Sequence, residues 1–265
     1  MKSRASGVLL HVTSLPSRFG VGDYGPHAYS FADFLARSHQ GFWQILPLNP
    51  TEGIHYHTPY HTTGAFAYNP LLCSPEVLVE QGLLQRDDLG AVPDFPAKRV
   101  EYDLAATHKN RLFLKAFERF RRSRENIEYQ EFCSGNADWL DAFALFMAIK
   151  RRLNGEVWSN WPVELRDRHP GELERVSAEL KERIDFEKFM QFICSTQWLS
   201  LKRYCNDRGI QIIGDLPIYV DFDSADVWTN PHLFKLDEHK RPYVVAGVPP
   251  DYFSATGQYW GNPLY

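Results

Sequence analysis

Asp215 is the residue of this sequence best placed to do chemistry. It follows Gly214 and a short apolar run, 210–213, so its carboxylate comes where a buried strand would end and a loop begin. The carboxyl ends of parallel strands are where α/β proteins commonly build their sites. The loop that follows is rich in Asp, Tyr and Trp, and flat aromatic faces suit stacking on the C–H faces of sugar rings. The pattern indicates carbohydrate chemistry, with a carboxylate that only braces the next loop as the alternative.

Two other carboxylates are interpreted as structural. Asp223 begins the sequence Asp-Ser-Ala-Asp, which is typical of a helix start, and we predict that it is the N-cap of a short helix. Asp185 follows Arg183 in an Arg-x-Asp pair, a common way to orient a nucleophilic carboxylate. The pair lies in the charged helical pattern of residues 179–189, so a solvated helix face explains it better.

The segment 247–258 combines two prolines, which stiffen a chain, with two glycines, which allow mobility. Its side chains include Asp251, Tyr252, Ser254 and Gln258. We predict that this segment is a lid or wall loop of the site. An ordinary surface loop is the alternative, and the aromatic residues of the segment argue against it.

Three histidines, His55, His57 and His61, lie close together and could bind Zn²⁺. No acidic or Cys partner stands at a known ligand spacing, and the surrounding loop is rich in Thr and Tyr. A polar loop that faces substrate is therefore the favoured interpretation. We predict neither a metal nor a cofactor for this chain.

Composition restricts the classes of partner. The chain has 265 residues and a modest net charge of −4, so it lacks the basic face that nucleic acids and anionic membranes attract. No apolar run of the sequence approaches the length of a membrane span. The cysteines show no metal-ligand spacing and are predicted to be free thiols, which favours a reducing, cytoplasmic compartment. They are Cys73, Cys133, Cys194 and Cys205.

The elements that would position Asp215 begin near the N-terminus. A strand run at 7–12, a helical pattern from Pro26 and a second strand run at 43–48 form a strand–helix–strand unit, which implies a parallel sheet. A third strand run, 210–214, leads directly to Asp215. The intervening stretch is mostly helical and far longer than one crossover needs, so we predict an inserted helical subdomain. Its helical patterns are 107–124, 136–153 and 171–208.

Together these segments resemble the 4-α-glucanotransferases, also called amylomaltases or disproportionating enzymes, which are relatives of the α-amylases. The resemblance covers essentially the whole chain but only about the N-terminal half of a typical family member. Its last two motifs are highly specific. The matching segments are 6–11 with 13–16, 43–48, 58–60 with 65–70, 139–150, 213–220 and 246–265.

The resemblance implies an α/β fold, a TIM-type (β/α)8 barrel with helical insertions, of which this chain is the N-terminal part. The barrel would start in residues 1–74, with the first two strands and a substrate loop. The helical inserted subdomain would occupy 75–185. The barrel would continue in 186–265, with the third strand and the wall of the active site.

The resemblance also implies a reaction and its partners. The partners would be α-1,4-glucans and maltooligosaccharides, with segments transferred between them by a retaining double displacement through a glucosyl-enzyme. Tyr60 matches the family tyrosine that stacks on the sugar beside the scissile bond, and Asp215 matches the strand-end aspartate. The residues that match the loop lining the donor and acceptor subsites are Asp251, Ser254, Gln258 and Trp260.

The catalytic carboxylates of the family lie in motifs beyond Tyr265. We therefore expect this chain to be inactive alone, with no catalytic residue of its own. A non-catalytic α-glucan-binding module is the alternative. The histidines within 54–63 replace commoner small polar residues of the family, so the subsite contacts of that loop are expected to differ.

Overall fold

The computed structural model describes residues 4–51, 57–123 and 126–265. Helical residues dominate the middle of the chain, as the sequence predicts. The α-helices within the described residues are α1 (Pro26–Arg37), α2 (Pro75–Glu80), α3 (Tyr102–Arg122), α4 (Ile127–Gly135), α5 (Ala137–Arg152), α6 (Val163–Arg166), α7 (Pro170–Glu179), α8 (Lys181–Asp207) and α9 (Ala225–Thr229).

Three short strands form a parallel sheet in the order β1-β2-β3. Because β2 is central, Trp43 pairs with Val8 on one side and with Ile212 on the other. The predicted strand–helix–strand unit and its parallel direction are confirmed, although each strand is shorter than its apolar run. The strands are β1 (Gly7–Leu9), β2 (Phe42–Gln44) and β3 (Gln211–Ile213).

The core next to this sheet is built by α1 and the second half of α8. Trp43 is fully buried, and its indole Nε1 donates a hydrogen bond to the carbonyl oxygen of Leu10 at 2.7 Å. Leu35 of α1 and Leu201 of α8 pack in the same buried cluster. A tight turn then leads from α8 into β3, so the packing of α8 fixes where Asp215 stands.

The first half of α8 packs against other helices rather than the sheet. The ring of Phe189 lies 5.4 Å from that of Phe117 and 4.9 Å from that of Phe120, both on α3. The predicted helical pattern 171–208 is interrupted at Leu180, which separates α7 from α8. Helix α8 runs across the predicted boundary at residue 185, and the three-part division of the chain stays a prediction.

A second, two-stranded sheet is antiparallel and comes from a region that the sequence predicts to be a loop. Strand β4 (Val245–Val248) pairs with β5 (Gln258–Pro263), and the register shifts between Val245 and Gly247. Only residues 249–257 of the predicted wall loop are therefore a loop, and they form the tip of a hairpin. The prolines and glycines that indicated a loop belong mainly to this tip.

A buried ion pair joins α3 to the segment before α1. Lys109 Nζ lies 3.0 Å from Asp23 Oδ2, and the two side chains are 0% and 6% exposed. Lys109 also donates a hydrogen bond to the carbonyl oxygen of Leu71 at 2.7 Å. Burial lowers the pKa of Lys109, and the Asp23 carboxylate opposes that shift. A charge this deep stays compatible with folding only while its partner is present.

The cysteines correct one expectation. Cys73 and Cys194 form a disulfide, with Cα atoms 5.4 Å apart, whereas Cys133 and Cys205 are free. The prediction of four free thiols is therefore wrong for this pair. The two residues are separated by 121 positions in sequence, so only the packing of α8 on the segment before α2 brings them together.

Candidate functional site

A pocket of about 540 Å³ opens where β3 ends. Three segments form its wall: 58–61, 215–219 after β3, and 258–262 on β5. The structure thus brings the predicted Asp215 together with three other predicted site residues, Tyr60, Gln258 and Trp260. The lining residues are Thr58, Tyr60, His61, Asp215, Leu216, Pro217, Ile218, Tyr219, Gln258, Trp260 and Asn262.

Tyr60 and Asp215 are joined across 155 positions of sequence. The Tyr60 hydroxyl donates a hydrogen bond to Asp215 Oδ2 at 2.7 Å. This hydrogen bond to a carboxylate raises the pKa of Tyr60, so the phenol stays protonated and remains the donor. The ring is 45% exposed, and its orientation is held by the bond at its tip. The result is a flat apolar face presented to the pocket beside an exposed carboxylate.

Trp260 forms a second aromatic wall. Its indole Nε1 donates a hydrogen bond to Gln258 Oε1 at 3.0 Å, and both residues lie on β5. The ring is 40% exposed and meets the ring of Tyr219 edge-on, with centroids 6.3 Å apart. The β4–β5 pairing therefore gives Trp260 a more rigid base than the loop that the sequence predicts.

His61 lies on the pocket wall, and its Nδ1 is 2.7 Å from Asp221 Oδ2. His57 contacts a different carboxylate, Asp103, with Nε2 at 3.2 Å from Oδ1. The two histidines therefore contact different carboxylates, and His55 lies outside the described residues. No group of three His, Cys, Asp or Glu side chains that could hold a metal ion occurs in the part of the chain that the structure describes.

Asp251 and Ser254 are not among the residues that line the pocket. Asp251 Oδ1 accepts hydrogen bonds from the backbone N–H groups of Phe253 and Ser254, at 2.9 and 2.8 Å. Ser254 Oγ donates to the carbonyl oxygen of Gly257 at 2.6 Å. In this structure the two residues brace the hairpin tip, and their predicted contact with sugar stays a prediction.

The prediction that Asp223 caps a helix is wrong by one residue. The N-cap of α9 is Ser224, whose side chain accepts from the backbone N–H of Val227. Asp223 instead forms an ion pair with Lys150 and accepts a hydrogen bond from the backbone N–H of Trp158 at 3.2 Å. Asp and Ser are both strong N-cap residues, so sequence preference alone does not choose between neighbours.

Comparisons with known proteins decide the family. The family model described as 4-alpha-glucanotransferase matches residues 10–265. This chain belongs to the 4-alpha-glucanotransferase family. It is 48% identical to the Synechocystis 4-alpha-glucanotransferase over 269 residues, which is 100% of this chain and 53% of that protein. It is also 48% identical to the Aquifex aeolicus 4-alpha-glucanotransferase, covering 99% of this chain and 53% of the relative.

Solved structures agree with the family. Amylomaltase from Streptococcus agalactiae, solved in complex with acarbose, superposes with a TM-score of 0.93 at 40% identity. The match covers 99% of this chain and 53% of that one. Amylomaltase from Corynebacterium glutamicum shares the fold at a TM-score of 0.69 and 21% identity, over 98% of this chain and 36% of that one. The chain spans about half the length of the curated relatives it matches.

Several pocket residues of this 4-alpha-glucanotransferase family member were not singled out from the sequence. Leu216 and Ile218 are 83% and 81% exposed on the segment after β3. Large apolar side chains standing in solvent beside a carboxylate are a signal of a ligand surface. The apolar sequence Leu-Pro-Ile-Tyr after Asp215 carries that signal, because it continues the apolar run past the end of the strand. None of the described helices is both long and apolar enough to cross a membrane.

Proposed function

We propose that this chain supplies the sugar-binding wall of a 4-α-glucanotransferase. The enzyme would transfer α-1,4-glucan segments between maltooligosaccharides by a retaining double displacement. The observation that carries the proposal is the convergence of Tyr60, Asp215 and Trp260 on one pocket of about 540 Å³. Family membership and the acarbose complex of the Streptococcus agalactiae relative support the same substrate class.

The chemistry of the pocket suits an uncharged sugar. Aromatic rings from Tyr60 and Trp260 offer apolar faces to the C–H faces of pyranose rings, while the Asp215 carboxylate accepts hydrogen bonds from hydroxyl groups. Tyr60 already donates to one oxygen of Asp215, which orients the carboxylate. The pocket would therefore hold sugar rings in a fixed direction, which is what transfer to a second glucan requires.

The reaction itself needs a carboxylate nucleophile and an acid/base carboxyl group. We assign both to family motifs that follow the present sequence, and we assign no catalytic role to the described carboxylates. In this proposal residues 1–74 and 186–265 contribute strands to a (β/α)8 barrel, and 75–185 form a helical insertion. The three parallel strands β1-β2-β3 support that arrangement. We also propose that the protein is cytoplasmic.

The first test separates binding from transfer. The purified 265-residue chain is incubated with maltotriose, and glucose and longer maltodextrins are measured by chromatography. We expect no transfer above the buffer blank, because the pair of carboxylates that lowers the barrier is not assigned to these residues. Disproportionation that disappears in Asp215→Asn would contradict this division of labour and place the chemistry at Asp215.

A binding measurement on the same sample tests the wall itself. Maltoheptaose should quench or shift tryptophan fluorescence in a saturable way, and Trp260→Phe should remove part of the signal. A chain that folds but shows no response to maltoheptaose would contradict the proposed function. Binding without transfer is the result that the proposed division of labour predicts, and membership of the 4-alpha-glucanotransferase family favours it over a separate glucan-binding module.

A further inference from the structure

Tyr60 stands at the tip of a tight turn. The backbone N–H of His61 donates to the carbonyl oxygen of Thr58 at 3.3 Å, which closes the turn over Pro59 and Tyr60. Proline suits the first central position of such a turn, because its ring fixes the backbone angle that the turn needs. The Tyr60 ring itself is half-exposed, so packing covers only part of it. The direction of the ring therefore depends on how the ends of this turn are held.

The side chain of His61 holds one end of the turn. Its Nδ1 lies 2.7 Å from Asp221 Oδ2, across 160 positions of sequence. An ionised carboxylate accepts hydrogen bonds and cannot donate them, so His61 Nδ1 carries the proton of this bond. The two side chains are only 21% and 11% exposed, so water competes for the bond less than it does at an open surface. The contact joins the turn to the segment after β3.

Asp221 is itself fixed in place. Its Oδ1 accepts a hydrogen bond from the backbone N–H of Asp223 at 2.9 Å, and its carbonyl oxygen accepts from Ser224 Oγ at 2.6 Å. Ser224 is the N-cap of α9, a short helix whose buried residues belong to the hydrophobic core. The turn that carries Tyr60 is thereby tied to the start of a helix that packing holds still.

Two further hydrogen bonds from α9 hold the chain beyond the turn. The carbonyl oxygen of Thr63 accepts from the backbone N–H of Ala225 at 2.8 Å. Asp226 Oδ2 accepts from the backbone N–H of Ala65 at 2.9 Å. Both bonds lie past the end of the turn, so the histidine contact is the one that holds the turn itself.

We propose that His61 is a positioning residue for Tyr60, and that its hydrogen bond to Asp221 sets the place of the Tyr60 ring beside Asp215. The ring reaches Asp215 through one hydrogen bond of 2.7 Å, and a small rotation of the turn would lengthen that bond beyond use. The effect on sugar binding rests on the proposed function. His61 also lines the pocket, so a direct contact of its imidazole with sugar is the alternative that the test must separate.

Two substitutions separate the donor of His61 from its ring. His61→Asn keeps an N–H as many bonds from the backbone as Nδ1, whereas His61→Phe keeps a flat ring without a donor. Maltoheptaose affinity is measured by calorimetric titration. We expect His61→Phe to weaken it by about five- to tenfold and His61→Asn to stay within about twofold of the parent chain. Equal losses in the two variants would indicate a direct contact of the imidazole and overturn the proposal, as would binding by His61→Phe that matches the parent.

The control removes an exposed histidine that contacts a carboxylate elsewhere. His239 is 69% exposed, its Nε2 lies 3.7 Å from Glu238 Oε1, and it does not line the pocket. His239→Gln should therefore bind as the parent chain does. Circular dichroism checks that each variant is folded. Where His61→Phe does not fold, His61→Asn still decides, because a loss as large as that of Tyr60→Ala in a variant that keeps the donor overturns the proposal.

A double variant tests whether His61 acts through Tyr60. Once Tyr60→Ala has removed the ring, a positioning residue has nothing left to place. Adding His61→Phe to Tyr60→Ala should then change the affinity by less than about twofold. Losses that add fully would show that the two residues bind sugar independently. That result overturns the positioning role and leaves the proposed function in place.

A measurement without sugar makes the inference independent of glucan binding. In ¹³C-tyrosine-labelled chain the Cζ signal of Tyr60, assigned with Tyr60→Phe, reports the hydrogen bond to Asp215. Asp215→Asn should shift this signal in the parent chain and in His61→Asn, but not in His61→Phe, where the bond is already lost. An equal shift in His61→Phe would overturn the proposal. The expected pattern in a chain that fails to bind maltoheptaose would support the positioning role and contradict the proposed function.

Discussion

Asp23 and Asp215 are two carboxylates of this chain with opposite surroundings. Asp23 is 6% exposed and holds the fully buried Lys109, whereas Asp215 stands in the open and accepts a hydrogen bond from the half-exposed Tyr60. A buried charge pair costs folding free energy when one partner is lost, and an exposed pair costs little. The contrast teaches that burial, rather than residue type, separates a carboxylate that holds the fold from one available to a ligand.

The largest expected effect is on stability at Asp23. Asp23→Ala leaves the Lys109 ammonium buried without its partner, so we expect the free energy of unfolding to fall by about 3–5 kcal/mol. Urea unfolding monitored by fluorescence measures the change. Asp215→Ala should alter it by less than about 0.5 kcal/mol, because the side chain is exposed.

A double variant sharpens the Asp23 prediction. Lys109→Met added to Asp23→Ala removes the stranded charge and keeps an apolar side chain of similar length. It should recover a large part of the lost stability. If Asp23→Ala and Asp215→Ala lower the free energy of unfolding equally, the distinction between the two carboxylates is wrong.

The second-largest expected effect is on maltoheptaose binding by the exposed pair of Tyr60 and Asp215. Tyr60→Ala removes an aromatic face and should weaken maltoheptaose binding by about 1–3 kcal/mol, which is roughly 5- to 150-fold. Tyr60→Phe keeps the face and loses only the hydroxyl bonded to Asp215, so its effect should stay below about tenfold. Calorimetric titration measures both.

The control for the binding prediction is another exposed tyrosine. Tyr243 is 64% exposed and does not line the pocket, so Tyr243→Ala should bind as the parent chain does. If Tyr60→Ala binds as tightly as Tyr243→Ala, the stacking role of Tyr60 is wrong. If Tyr60→Phe is as weak as Tyr60→Ala, the hydroxyl rather than the ring carries the contact.

The smallest effect concerns Asp88, whose burial is intermediate. The hydrogen bond from Arg119 holds the pKa of Asp88 below its ordinary 3.8. A carboxylate with a lowered folded pKa stabilises the fold above its ordinary pKa, and that stability is lost as pH falls through the lowered value. The stability difference between the parent chain and Asp88→Asn should therefore be full at neutral pH and shrink at about pH 3 and below. Urea unfolding at both pH values measures it, and a difference that grows with acid would contradict the assignment.

The parallel sheet and the position of Asp215 just after β3 could be predicted from the sequence, because local patterns determine both. The apolar runs and the helical pattern after Pro26 specify a strand–helix–strand unit, and a parallel unit leaves Asp215 at a functional edge. The hairpin β4–β5 is not predicted, because Pro249, Pro250 and Gly257 lie at its tip and indicate a loop. Those residues determine the turn and do not exclude pairing on either side of it.

Features that depend on distant contacts could not be predicted. The Cys73–Cys194 disulfide and the Tyr60–Asp215 hydrogen bond each join segments more than a hundred positions apart. No local sequence pattern indicates that two such distant segments are in contact. The family resemblance indicates Tyr60 as a site residue, whereas its hydrogen bond to Asp215 is seen only in the structure.

The central position of β2 has a consequence for how the chain is made. Phe42 pairs with Gly7 on one side and with Gln211 on the other, so the first pairing is available early and the second waits for the whole helical segment to be synthesised. At about 5–20 residues per second, that delay is roughly 10–30 s on the ribosome. During it, one edge of β2 has no strand beside it, and an unpaired edge is prone to aggregation. The helices between β2 and β3 therefore set a time during which a nascent chain depends on chaperones or on rapid local helix formation.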